Sequence, residues 1–364
     1  MKNKIAIASA FIAASSFSTA EIVINDFLSF EGFVDMSYVH GDAEVDAPGP
    51  GSVKESENSY SIDQVEISWL FNFDPVTAQI DIAYEGTDGD YEQVEQAFAT
   101  YHLDNGGAIT AGRFASMLGF EAFEPTGLYQ YSTAYTGGNA LDQAINGGVD
   151  DDDSDFSVLP GYNQGVKFTY ETDTTFFGLA LLDGDYNRSR LGGDEPSNGG
   201  LDADGGYGIE AAGSFDLGNG VNFFLGGRYD DGDTADKMVY NTYVTYETGA
   251  WLFAAELAYS EEDFNDPNED EEVLNFLVMA NFAYSEDASI TGRLSYVDGE
   301  EETGVNTENE ASFLKYTLAH GYAFTDNLFL VTELSYLDGE ASSTGDADTE
   351  FDELQAAVEL IFSF

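Results

Sequence analysis

The sequence predicts an all-β fold: a transmembrane, antiparallel, up-and-down β-barrel of about 16 strands. Three observations carry this. The last stretch, Leu354 to Phe364, reads LQAAVELIFSF, with Leu354, Ala356, Val358, Leu360, Phe362 and Phe364 in one apolar row. Gln355, Glu359 and Ser363 share the other row with Ala357 and Ile361. Such period-two alternation over about ten residues suits a strand with lipid on one face and a lumen on the other. The connections between candidate strands alternate short and long, as barrel turns and loops do. No stretch beyond the N-terminus is apolar over about 18 residues, so any crossing must be made by strands.

Composition agrees. Tyr 22, Phe 28 and Gly 39 against Pro 7 is strand-and-turn usage. There is no Cys, hence no disulfide or thiolate chemistry. Residues 1–20 read as an export signal: Lys2 and Lys4, an apolar run from Ile5 to Phe17, and the small-x-small pattern Ser18-Thr19-Ala20. The mature barrel is expected to occupy 21–364. Asp and Glu total 69 against 11 Lys and Arg, a formal charge of −58, which repels nucleic acid. With 43% hydrophobic residues in alternation, acidity here does not mean disorder.

In chain order, the strands are expected at 28–39, 64–73, 78–85, 94–103 and 108–114, the outward faces of the fourth and fifth being left open. The residues 115–162 follow, with little sustained alternation. Further strands are expected at 165–171, 175–182, 207–215, 221–229, 238–247, 250–260, 273–284, 288–297, 313–323, 328–337 and 354–364. Asp74-Pro75, Asp104 to Gly107, Thr172-Asp173, Leu217 to Gly220, Thr248-Gly249, Ser285 to Asp287 and Thr325 to Asn327 are the short turns. An even strand number leaves both ends of the chain on the short-turn side. Tyr and Phe recur near strand ends, among them Tyr38, Phe73, Tyr84, Tyr170, Tyr229, Tyr259, Tyr284, Tyr296, Tyr322 and Tyr336, as aromatic girdles require.

The motifs Gln96-Ala97-Phe98, Gly112-Arg113-Phe114 and Leu118-Gly119-Phe120-Glu121 resemble those of the OmpL-like β-barrel porin family. The opening Phe33 to Tyr38, the run Tyr129 to Ser132 and Pro160-Gly161-Tyr162 are similar to it as well. The final strand, ending on Phe364, resembles the C-terminal strand that barrel-assembly machinery reads in bacterial outer-membrane proteins. The resemblance implies an outer-membrane channel and, by analogy with general porins of this size, a homotrimer; it does not imply a solute. In sixteen-stranded porins the loop after the fifth strand folds into the lumen, and 115–162 stands at that place.

That loop carries Glu121, Glu124, Asp150, Asp151, Asp152 and Asp153 and no base. It either enters the lumen or lies outside as an acidic loop. Strand parity puts Lys167, Arg228, Arg293 and Lys315 on the row opposite the apolar one, and Arg113 joins them because a charge facing lipid costs ~2–4 kcal/mol. These bases either face the acidic loop and set a transverse field, or pair with Glu66, Asp81, Glu210, Glu256 or Glu333 and brace the barrel. The runs Asp150 to Asp155 and Glu269 to Glu272 lack the D-x-D-x-D-G spacing of a defined cation loop. Diffuse divalent binding, with bridging to lipopolysaccharide, is expected there instead of a specific metal, and no cofactor is expected. His40, His102 and His320 are far apart and no G-x-S-x-G motif accompanies them.

The expected function is a water-filled channel for passive diffusion of small hydrophilic solutes, weakly cation-selective, in the bacterial outer membrane. The alternatives are a plugged barrel serving as adhesin or envelope anchor, and a barrel hydrolase.

Overall fold

Sixteen antiparallel strands close on themselves because each has one row of side chains for lipid and one for the interior. A computed structural model describes residues 21–47, 51–85, 92–146, 156–183, 206–232, 235–264, 269–303, 308–344 and 348–364. A short strand β1 (Ile22–Asn25) folds back on β2 (Leu28–Asp46). The barrel continues through β3 (Val53–Phe73), β4 (Val76–Glu85), β5 (Glu92–His102), β6 (Gly107–Ala115), β7 (Tyr162–Glu171), β8 (Thr175–Asp183) and β9 (Tyr207–Gly218). It is completed by β10 (Val221–Asp231), β11 (Ala235–Thr248), β12 (Trp251–Phe264), β13 (Glu269–Ala283), β14 (Ala288–Thr303), β15 (Glu308–Thr325), β16 (Leu328–Ser343) and β17 (Thr349–Ser363). Each strand pairs with the next, and β17 pairs with β2, Ser363 opposite Phe33.

Phe364 locks this seam. Its backbone exchanges two hydrogen bonds with Gly32, of 2.8 and 2.9 Å, and its ring meets Phe30 edge-on. The parity read from the sequence holds on β17: Leu354, Val358 and Phe362 are exposed while Ala357, Glu359, Ile361 and Ser363 are buried. Aromatic residues mark two belts. At the short-turn end Phe27 stacks on Phe73, Phe30 meets Trp69, and Trp251 stacks on Phe282. Toward the other end tyrosines face each other across strands, Tyr38 with Tyr60, Tyr240 with Tyr259 and Tyr316 with Tyr336. Phe30 and Tyr38 on β2 are about 26 Å apart along the strand at ~3.3 Å per residue, close to the ~25 Å apolar band of such barrels.

All sixteen expected strands are present, and the difference lies in their length. At the long-loop end they run past the tyrosine belt into the acidic connections, β2 to Asp46 and β3 from Val53. This collar places like charges directly opposite one another: Glu262, Glu271 and Glu301 form one row across β12, β13 and β14, and Glu261, Glu272 and Glu300 another. Its interior is apolar along β2 and β14 to β17, with Val45, Val297, Phe313, Leu337 and Phe351 buried. On β11 to β13 the inward row carries Lys237, Glu262 and Glu271, Lys237 pairing with Glu262 at 2.9 Å. Alternation is lost to the eye there because the outward row is charged instead of apolar.

The described residues of the connection between β6 and β7, 116–146 and 156–161, lie inside the barrel. They include a short turn of 3-10 helix, Pro125–Gly127, and the helix α1 (Gly138–Asn146). Met117, Leu118, Phe120, Tyr135, Leu141 and Val158 of this loop pack on inward apolar side chains of the wall such as Phe176, Phe224, Tyr243, Leu277 and Phe313. At ~1.5–3 kcal/mol for each fully buried large side chain, this packing holds the loop in place.

Candidate functional site

The loop is anchored by a sequence of wall side chains, met strand after strand. Glu210 on β9 accepts from the Met117 N–H (2.8 Å) and the Ser116 hydroxyl (2.7 Å). Asn241 on β11 accepts from the Gly119 N–H, and Glu256 on β12 from the Phe120 N–H (2.7 Å), the Tyr135 hydroxyl (2.9 Å) and the Asn241 amide (2.8 Å). Asn275 on β13 accepts from the Val158 N–H and donates to the Phe156 carbonyl. Glu333 on β16 takes the Ser132 N–H (3.0 Å), and Glu353 on β17 takes the Ala140 N–H (3.0 Å) in the first turn of α1. A negative side chain at a helix N-terminus is favourable. Gly138 fits there because its φ is +64° and a Cβ would lie 2.7 Å from a Glu353 carboxylate oxygen. The loop backbone leaves water for the barrel interior, and carboxylates from the wall supply the acceptors its N–H groups need.

The short motifs in the sequence take their places in this scheme. Gln96 donates to Asp81 (2.6 Å) and accepts from the Ala115 N–H (2.9 Å), so it fixes the start of the loop. Gly112 has φ +131°, and a Cβ there would lie 2.2 Å from the Ala97 carbonyl oxygen. Glu121 is a hub: it accepts from Arg293, from the Gln130 amide (2.7 Å) and from the Ala134 N–H (2.9 Å).

The five bases all point inward and are bonded to the loop or its neighbours. Arg293, its side chain 0% exposed, reaches Glu121 and the Thr133 carbonyl. Lys315 donates to the carbonyls of Thr133 (3.0 Å) and Thr136 (3.2 Å). Arg228 forks onto Asp230 at 2.5 and 2.7 Å and bonds Asn163. Lys167 lies over the Phe114 ring, 4.4 Å from its centre, with the Ala115 carbonyl at 3.5 Å. Arg113 donates to the Glu95 carbonyl (2.7 Å) and stacks over Tyr162. Of the five partners offered by the sequence for bracing, none takes a direct bond from a base among these contacts; Glu210, Glu256 and Glu333 serve the loop backbone instead.

The opposite wall, β2 to β5, is different. Asp35, Glu66, Asp81 and Glu95 are buried on it, and the spanning parts of these strands hold no Lys or Arg. The loop reaches the collar part of this wall with Asn139 and Gln143, which donate to Glu57 (3.1 Å) and Glu55 (2.6 Å) of β3, and its spanning part with two more side chains. Tyr131 meets Ser37 at 3.4 Å, and burial pushes its hydroxyl up to about 12. Glu124 accepts from Gln64 (2.9 Å) and from the Tyr162 hydroxyl (2.8 Å). Burial raises the Glu124 carboxyl above its ordinary range, the Tyr162 hydrogen bond pulling the other way. Asp63 and Glu95 were missed by sequence reasoning, and β-bulges explain why. The register shifts opposite Asp35/Met36 and opposite Asp81/Ile82 leave Asp63 and Glu95 as extra residues that break the alternation.

Asp150, Asp151, Asp152 and Asp153 lie outside the described residues, as do residues 1–20. The histidines stand apart: His40 bonds the Glu57 carbonyl, His102 meets Thr77 and His320 meets Tyr284.

Comparison with solved structures finds barrels of the same kind along nearly the whole chain. An anion-selective porin from Comamonas acidovorans is 14% identical, with TM-score 0.58, covering 93% of this chain and 99% of that one. The outer membrane channel DcaP of Acinetobacter baumannii is 13% identical, with TM-score 0.57, covering 93% and 97%. OmpT of Vibrio cholerae, folded in vitro, is 13% identical, with TM-score 0.57, covering 95% and 100%. These likenesses are of fold. No curated protein sequence matches the chain. The profile of the family described as "Putative beta-barrel porin-2, OmpL-like" matches residues 28–149 and 155–364, that is, every barrel strand from β2 to β17 and all of the loop between β6 and β7 but residues 150–154. The chain therefore belongs to this OmpL-like family of β-barrel porins, and its place is the bacterial outer membrane.

Proposed function

We propose that the barrel is a diffusion channel for small hydrophilic solutes and ions, with a weak preference for cations. The observation that carries this is the division of charge inside it. The bases Arg113, Lys167, Arg228, Arg293 and Lys315 are turned to loop carbonyls, to Glu121, to Asp230 or to the Glu95 carbonyl. The β2–β5 wall keeps Asp35, Asp63, Glu66, Asp81 and Glu95 without Lys or Arg on its spanning strands. The passage runs between that wall and the loop, and Glu121 and Glu124 belong to its narrow zone. The acidic collar above concentrates cations over about a Debye length, ~8 Å at physiological salt. A barrel of like fold is described as anion-selective, so the preference for cations is supported by the wall charge and not by the fold.

Residues 1–20 act as the export signal, the short turns face the periplasm, and Phe364 at the seam is read by the assembly machinery. The collar faces lipopolysaccharide. A solved form of the Vibrio cholerae OmpT is described as a trimer, and a homotrimer is the assembly adopted here too. The protein is a channel and not an enzyme on this reading. The test is planar-bilayer recording of the purified protein across a KCl gradient. Stepwise ohmic conductance with a zero-current potential of the cation-selective sign is expected, fading in concentrated salt. Silent insertion of correctly folded barrels would favour a plugged, structural barrel, which the packed loop makes the leading alternative.

A further inference from the structure

We propose that Glu66, Glu95 and Glu124 form a divalent-cation site, of a size and chemistry suited to calcium, that ties the inserted loop to the β2–β5 wall. One carboxylate oxygen from each of the three lies within 4.8 Å of the others. That span is no wider than twice the ~2.4 Å bond calcium makes to oxygen, so one ion can bridge all three. Glu66 is 6% exposed; one of its oxygens accepts from Ser68 at 2.8 Å, and the other is buried without a hydrogen-bond partner. A buried carboxylate oxygen left without a donor is costly, and a metal ion is a ligand that removes the cost.

The surroundings are short of positive charge. Gln64 gives its one amide group to both Glu95 (3.4 Å) and Glu124 (2.9 Å), and Tyr162 gives its hydroxyl to Glu124. Asp81 stands beside them, held by Gln79 and Gln96. The one base alongside, Arg113, spends its Nε on the Glu95 carbonyl. Carboxylates and amide oxygens are hard donors, which select calcium or magnesium over transition metals. The site joins three separated pieces of chain: β3, the bulge of β5 and the loop. Its occupancy fastens the loop where Glu124 crosses to the wall.

The experiment is binding to the folded full-length mature barrel in detergent, stripped with a chelator. It needs no conduction, so its outcome stands apart from that of the channel recordings. Calcium is titrated calorimetrically in about 1 M KCl, where the Debye length is ~3 Å and the outer acids are screened. One equivalent is expected to bind at least about tenfold more tightly than the rest. Glu66→Gln and Glu124→Gln should each lose that equivalent, and the collar variant Glu271→Gln should keep it. Terbium should occupy the same site and emit when tyrosine is excited, through Tyr162, with calcium displacing it. Glu124 lies on the loop, so Glu124→Gln leaves strand pairing intact if Glu66→Gln does not fold. Absence of a tight equivalent in the parent, or its survival in both Gln variants, would overturn the site and leave the carboxylates sharing protons.

Discussion

The two sides of the barrel interior use the same residue type for opposite ends. On β9 to β17, Glu210, Glu256, Glu333 and Glu353 each accept a backbone N–H of the loop. On β2 to β5, Asp35, Asp63, Glu66, Asp81 and Glu95 face side chains and one another, and no loop N–H is given to them among the described contacts. The first set replaces water for a buried backbone. The second set, on the function proposed, gives the lumen its charge. A carboxylate on a barrel wall therefore has no fixed meaning until its donor is known.

The comparison breaks most visibly if the anchoring acids prove dispensable. Glu256→Ala removes the acceptor of Phe120, Tyr135 and Asn241 together, each worth ~1–3 kcal/mol when left unmet in the interior. A drop in the temperature at which the folded band converts on gels, and a larger conductance from a loosened loop, are expected. Asp81→Asn, on the other wall, should change neither by a comparable amount; equal losses would erase the distinction.

The next largest effect separates the walls by charge. Glu66→Gln, Asp81→Asn and Glu95→Gln combined should lower the cation-to-anion permeability ratio at least about twofold, as read from the zero-current potential. Lys167→Met, whose ammonium is turned to a loop carbonyl and an aromatic ring, should shift it little. The reverse ranking would place the bases, and not the acids, in the path of ions.

The smallest effect concerns the collar, where no loop N–H relieves the carboxylates. Burial raises the Glu271 carboxyl above its usual range; Lys237 opposes this, and Glu262 and Glu301 add to it. A carboxyl raised in the folded state contributes stability while protonated and loses it as pH climbs through the folded value. Glu271→Gln should therefore stabilise the barrel at neutral pH by ~0.2–1 kcal/mol at low salt. The gain should vanish in about 1 M salt and shrink below the carboxylate range. Thermal midpoints across salt and pH check it.

Much of this was legible beforehand. Alternation located every barrel strand; parity put Lys167, Arg228, Arg293 and Lys315 inside, because a mid-membrane strand has only two faces, and the cost of a charge facing lipid added Arg113. β1, four residues long, carries too few positions to show a period. Asp63 and Glu95 sit at bulges, where the count of two fails for one residue. The lengthened strands of the collar escaped because alternation needs an apolar row and theirs is charged on the outer face. The choice between a transverse field and bracing was open for another reason. The partners of the bases are mostly backbone carbonyls of a distant loop, and no side-chain inventory contains those.

The loop's anchors also order events in time. Met117 bonds Glu210 at a sequence separation of 93, and Ala140 bonds Glu353 at 213. Beyond Ala115, whose N–H goes to Gln96 of β5, every wall side chain that accepts a loop N–H lies on a strand synthesised after the loop. The last anchor, Glu353, lies on β17, the strand that zips onto β2. Contacts of such separation form slowly, so the segment waits as an unsatisfied chain until the C-terminal half has assembled. Ring closure and docking are then one cooperative step, and amide protons at Phe120, Ser132 and Ala140 should gain protection together with those of the seam, not before it.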